Sequence, residues 1–182
     1  MRRQVSAKKA FTLIELIVVI AIIAILAAII APNVFRAIEK SKISKTVADM
    51  KTIRTAALAY VADTGRWPWE GATHWVATNT GNEGFLDNDG AFGWDGPYLE
   101  AWPVTQWKEQ GTEFYYIYYL IDWDGNGIRA SHFISIRNLL LGSSGLPMQV
   151  MQKLDEILDD GNVSVGKIQH FGGVYFDYCL VY

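Results

Sequence analysis

Phe11-Thr12-Leu13-Ile14-Glu15-Leu16-Ile17-Val18-Val19-Ile20-Ala21-Ile22-Ile23-Ala24-Ile25-Leu26-Ala27-Ala28-Ile29-Ile30-Ala31 is an apolar run with two polar interruptions, Thr12 and Glu15. Its length is close to the ~20 residues that carry an α-helix across a bilayer. A cleavable secretory signal has a shorter apolar region, about 7–15 residues, so that reading is disfavoured. Arg2, Arg3, Lys8 and Lys9 precede the run. Such a basic start predicts a cytoplasmic N-terminus.

Glu15 separates a simple anchor from something more specialised. An acidic side chain in an apolar span costs on the order of 2.5–3.5 kcal/mol when central and less near the edge. A plain anchor has no use for it, and an intramembrane carboxylate needs a partner. A cut between Ala10 and Phe11 would create an α-amino group in the same apolar layer. That amine, on a neighbouring subunit, could pair with Glu15 and set the axial register of an assembly.

The order Lys8-Lys9-Ala10-Phe11-Thr12-Leu13-Ile14-Glu15, followed by the apolar run, resembles the processing site of type IV pilins and type II secretion pseudopilins. The resemblance implies that a prepilin peptidase cuts before Phe11 and that the new amine is methylated. It also implies a filament held together through N-terminal helices, with Phe11, Glu15 and Pro32 in assembly. Where the family usually has Gly before the cut, this chain has Ala10. The stretch Tyr60-Val61-Ala62-Asp63-Thr64-Gly65-Arg66-Trp67-Pro68 is similar to the end of the long helix in the major pseudopilin of type II secretion. The Asp-Pro-Trp-Gly turn of that subfamily is missing from 102–107, so the likeness covers the first third well and the head only loosely.

Beyond Ala31, Pro32 removes one helical hydrogen bond and favours a kink or a break. Ile43, Val47, Met50, Ala57 and Val61 nevertheless recur at helical intervals, with Lys40, Lys42, Lys45, Asp49 and Lys51 between them. One helix over about 11–62 is therefore expected, ending at Asp63-Thr64-Gly65. Residues 66–112 have no helical period and read as a long structured loop region. Aromatic and β-branched residues over 114–121 and 132–136 read as an antiparallel pair of strands. A second helix follows Pro147, with Val150, Met151, Leu154, Ile157 and Leu158 on one face and Gly161 as its stop. Residues 174–182 read as a closing strand. The expected fold is α+β: a hydrophobic helical spine packed on a small antiparallel sheet. The expected organisation is a leader at 1–10, a transmembrane or filament-core helix at 11–31, its amphipathic continuation at 32–64, and a periplasmic head at 65–182.

Within the head, Asp122-Trp123-Asp124-Gly125-Asn126-Gly127 places oxygen-bearing side chains at positions 1, 3 and 5 and Gly at 6, as at the start of a calcium loop. Position 12 is Phe133, not the bidentate Glu of an EF-hand, so calcium would need further ligands from elsewhere. The competing reading is an Asp/Asn/Gly hairpin turn. Because major pseudopilins bind calcium in a head loop, the resemblance favours Asp122, Asp124 and Asn126 as ligands. Asp87-Asn88-Asp89-Gly90, with Asp95, is a second acidic turn of the same kind.

Other chemistry finds little support. His74, His132 and His170 have no zinc spacing. Neither a nucleophile elbow nor a Gly-rich phosphate loop occurs, and no enzyme activity is expected. Cys179 stands alone, which excludes an intrachain disulfide and fits a buried position in the last strand. Seven tryptophans fit core or subunit contacts better than sugar stacking. Loss of the first ten residues removes four positive charges and takes the net charge from −3 to −7, so nucleic acid is not an expected partner of the head. The leading expectation is a subunit of a type II secretion pseudopilus, moving from the inner membrane, head periplasmic, into a filament. A type IV pilus subunit shares the leader, and a membrane-anchored enzyme or sugar-binding module is the alternative from another class.

Overall fold

The computed structural model describes residues 11–68, 76–78, 84–108, 111–121, 129–138, 142, 144–164, 166–171 and 175–180. The chain divides into two compact units, Met1–Ser41 and Lys42–Tyr182. Helix α1 runs Leu13–Thr64, 52 residues, with Pro32 inside it, so the proline does not end the helix. The C-terminus closes as expected: Gly65 takes a left-handed φ of 71° and its N–H donates to the Val61 carbonyl at 2.9 Å. Thr64 Oγ1 adds a bond to the Tyr60 carbonyl.

In the second unit the helical stripe is buried as its spacing requires. Ile43, Val47, Met50, Ile53, Ala56, Ala57 and Tyr60 all lie in the interior, and Val61 is half-buried. Asp49, grouped in the sequence with exposed charges, is buried instead. Lys45 Nζ reaches over it and donates to Oδ1 at 2.6 Å.

Among the described residues the sheet has five strands in the order β1-β2-β3-β5-β4, all antiparallel: β1 (Val76–Thr78), β2 (Glu113–Ile121), β3 (Arg129–Arg137), β4 (Ile168–Phe171) and β5 (Tyr175–Cys179). The expected pair at 114–121 and 132–136 is β2 and β3, and β5 is the expected closing strand. Two short strands were not anticipated. β1 falls inside the stretch read as loop, and β4 is only four residues long. Neither run is long enough to show a period of two, and each exists because a longer strand offers it an edge.

Strand alternation builds two different faces. Phe114, Tyr116, Ile134, Ile136, Phe176 and Tyr178 join the α1 stripe and Val150, Met151 and Leu154 of helix α2 (Met148–Leu158) in the main core. Tyr115, Ile117, Phe133 and Cys179 form a second cluster on the other face, where the lone cysteine is buried as predicted. Alongside it lies an internal ionic group. Arg137 donates to Ser135 Oγ at 2.6 Å and to Asp177 Oδ2 at 3.1 Å, Ser135 Oγ donates to Asp177 Oδ1, and the guanidinium lies 4.1 Å from the Tyr175 ring centroid. A buried pair of this kind tolerates burial because each charge is met.

Helix α2 deviates from its predicted face. Ile157 is exposed, and the position that completes the buried side is Asp155.

His132, on β3, is 2% exposed, stacked on Trp67 at 5.2 Å, with Nδ1 3.0 Å from the Tyr116 hydroxyl. Burial lowers its pKa to about 4 from 6.5. The folded imidazole stays neutral while the unfolded one takes a proton below about 6.5, so its contribution is complete above that pH and is lost as pH falls toward 4. Melting curves of the detergent-solubilised chain between pH 7 and 4 should show this loss, about 3 kcal/mol at its limit. In His132→Gln the acid-induced decline should be clearly shallower; an identical decline would remove His132 as its source.

Candidate functional site: the start of the apolar helix

From Phe11 to Ile38 every residue is exposed, including fifteen isoleucines, leucines and valines. This stretch is long and apolar enough to cross a membrane, and none of its most hydrophobic window is buried. A helix apolar all round belongs in lipid or among other helices, because water does not tolerate so large an exposed patch.

The first turn carries the polar chemistry. Thr12 precedes the first helical residue, and its carbonyl accepts the Leu16 N–H at 3.3 Å. The Thr12 N–H and hydroxyl both donate to Glu15 Oε2, at 2.9 and 2.7 Å. In return the Glu15 N–H donates to Thr12 Oγ1 at 3.3 Å. This reciprocal pattern is a capping box, in which a Thr and a Glu three residues later satisfy helix-start donors that otherwise have no partner. Negative charge at this end is also favoured by the helix dipole.

The expectation that Glu15 needs an outside partner is thus modified. Within its own chain Oε2 already has two donors, both from Thr12. The signal was present as Thr12-Leu13-Ile14-Glu15, a Thr-x-x-Glu pattern ahead of an apolar run, and was overshadowed by the reading of Glu15 as an intersubunit ligand. Phe11, the expected new N-terminus, is 78% exposed and open to a peptidase or a neighbour. Ala10 lies outside the described residues. Pro32, the third assembly residue, sits on the same exposed stretch of α1.

The head candidates fare differently. Asp122, Asp124 and Asn126 lie outside the described residues. The second acidic turn is described, and its carboxylate is used in packing. Asp89 Oδ2 accepts the Tyr60 hydroxyl at 2.6 Å and the Arg66 guanidinium at 3.4 Å, tying the turn to the end of α1. Burial, reinforced by that carboxylate, keeps the Tyr60 hydroxyl protonated far above the usual range. Asn88 and Asp89 cap the Gly90 and Ala91 N–H groups. Gly84 is required beside them: its φ is 97°, and a Cβ there would lie 2.7 Å from the Tyr60 ring. The described tryptophans are turned to structural use as well. Trp94 and Trp102 donate their indole N–H to the Gly84 and Phe114 carbonyls, and Trp107 is buried.

Residues 5–31 match the family model described as prokaryotic N-terminal methylation motif. Residues 37–116 match the model described as PilW, C-terminal. No curated protein and no solved structure matches the chain.

Replacing Thr12 with Val removes the hydroxyl of the box while keeping the side-chain shape. The first turn should lose about 1 kcal/mol, the typical value of an N-cap. Amide exchange of Glu15 and Leu16 in micelles should then be faster by roughly fivefold. Unchanged exchange would show that the box does not hold the helix start.

Proposed function

Because the chain is type IV pilin-like, with the methylation motif spanning the start of an exposed apolar helix, we propose that it is a structural subunit that leaves the inner membrane to enter a filament. Residues 1–10 are removed by prepilin peptidase, the Phe11 amine is methylated, and the head lies in the periplasm. The apolar half of α1 exchanges lipid contacts for contacts with the same stretch of neighbouring subunits. Thr12 holds the Glu15 carboxylate in place before assembly, so that one side chain serves first as a helix cap and then as the acceptor of a neighbour's amine. The observation that carries this reading is the fully exposed apolar stretch of α1, closed at its start by an ionisable cap.

Two assemblies are compatible with that chemistry. The resemblance of residues 60–68 to the major pseudopilin supports a type II secretion pseudopilus that drives protein export. The PilW, C-terminal match over residues 37–116 supports a pilus-related subunit. Short periplasmic filaments, as opposed to long surface pili, would distinguish the first from the second. Among the described residues no constellation of side chains favours an enzymatic role.

Mass analysis of the native protein should find a mature chain beginning at methylated Phe11. A start at Met1, or at a position after residue 15, would overturn the assignment. In cells, Glu15→Ala should leave membrane insertion intact while cutting filament yield at least tenfold; normal yield would remove Glu15 from assembly.

A further inference from the structure

The C-terminus of α2 ends in Asp155, Asp159 and Asp160, whose ligand oxygens all lie within 4.8 Å of one another. An acidic cluster at a helix end is common and by itself says little. The decisive feature is Asp155. Its side chain is 0% exposed, and neither Oδ1 nor Oδ2 has a hydrogen-bond partner. The Gly161 N–H lies near enough to favour the charged form without reaching bonding geometry.

Such a group is expensive to keep. A buried carboxyl with no donors loses its hydration without replacement, and the penalty grows with two like charges beside it. Burial first, then Asp160 and Asp159, push the Asp155 pKa up to about 6. This contrasts with Asp177 on β5, whose carboxylate is met by Arg137 and Ser135.

From this orphaned carboxylate and its two neighbours we infer a cation site at the α2–β4 junction, formed by Asp155, Asp159 and Asp160 and suited to calcium. Three carboxylate oxygens are a hard donor set, and calcium tolerates the irregular geometry of a helix end and loop better than octahedral magnesium does. Burial grades from Asp155 through half-buried Asp159 to exposed Asp160, so the cluster opens to solvent on the Asp160 side. Asp159 is already oriented, since its Oδ2 accepts the Lys167 N–H and the Ile168 N–H at 3.3 Å. Asp160 Oδ1 accepts the Asn162 N–H at 2.8 Å. A bound ion would clamp the end of α2 to the segment that leads into β4.

The residues of this site differ from those of the Asp122-Asp124-Asn126 motif read in the sequence, and the experiment separates the two. The full chain, in detergent micelles and stripped of metal, is melted with EGTA or with 10 mM CaCl2. Calcium should raise the head's Tm by about 3–8 °C, as expected for the affinity of an extracellular site. Asp155→Asn, Asp159→Asn and the exposed Asp160→Asn should each weaken binding at least tenfold in calorimetric titration. Asp160→Asn guards against a folding defect, since its side chain lies at the surface. The double variant Asp122→Asn, Asp124→Asn should keep the response. A Tm indifferent to calcium overturns the site. So does a calcium response that survives the Asp155 and Asp160 variants or vanishes in the 122/124 double variant. The outcome is independent of whether the chain polymerises.

Discussion

Uncovered apolar surface is the constraint to which the rest of this chain answers. From Phe11 to Ile38, α1 offers isoleucine, leucine and valine to every side, and none of it is buried. Water penalises such a surface in proportion to its area, so lipid tails or other apolar helices must surround it. Neither medium supplies hydrogen bonds, which makes the helix start the weak point: its first N–H groups have no partners along the chain. The Thr12–Glu15 box meets two of these donors, the Thr12 and Glu15 N–H groups, inside one turn. The same carboxylate then remains in an apolar layer where a cationic group is worth far more than in water. A filament joined through such helices gains contact area and loses nothing in backbone satisfaction.

Past Ser41 the same helix obeys a different rule. Its apolar residues withdraw to one stripe, and that stripe lies in the core with the even-numbered face of β2, β3 and β5. The change is written in composition: charges from Lys40 to Lys51 fill the positions that isoleucine and alanine occupy earlier. Pro32, inside the helix, removes only one donor, a loss that the surrounding turns absorb. Gly65, in its left-handed conformation, marks where the spine gives way to the head.

Buried polar groups in the head fall into two kinds. Ser135, Arg137 and Asp177 satisfy one another across β3 and β5, and such a closed network favours one strand register over its neighbours. Tyr60, Asp89 and Arg66 do the same at the end of α1. Among the described residues Asp155 stands apart, with both oxygens enclosed without a donor, where Asp49 lacks one only at Oδ2. Native interiors rarely leave such a group alone, and the exceptions tend to mark places where something outside the chain completes the structure.

Much of this was legible in the residues. The apolar run, the stripe at Ile43, Val47, Met50 and Ala57, and the aromatic strands β2 and β3 all show their period within a few positions. Local chemistry acts over that same distance, so helix, strand and membrane-length span follow from it. The Thr12–Glu15 cap was equally local. What no local pattern contained were β1 and β4, which are strands only because β2 and β5 present edges to them. Nor could it tell that Asp49 and Asp155 face inward while Ile157 faces out. Burial belongs to the packed whole: a side chain is enclosed when segments far apart in sequence close over it. The sequence alone therefore determined the spine and its processing signal, and the tertiary structure alone decided which carboxylates are left without water.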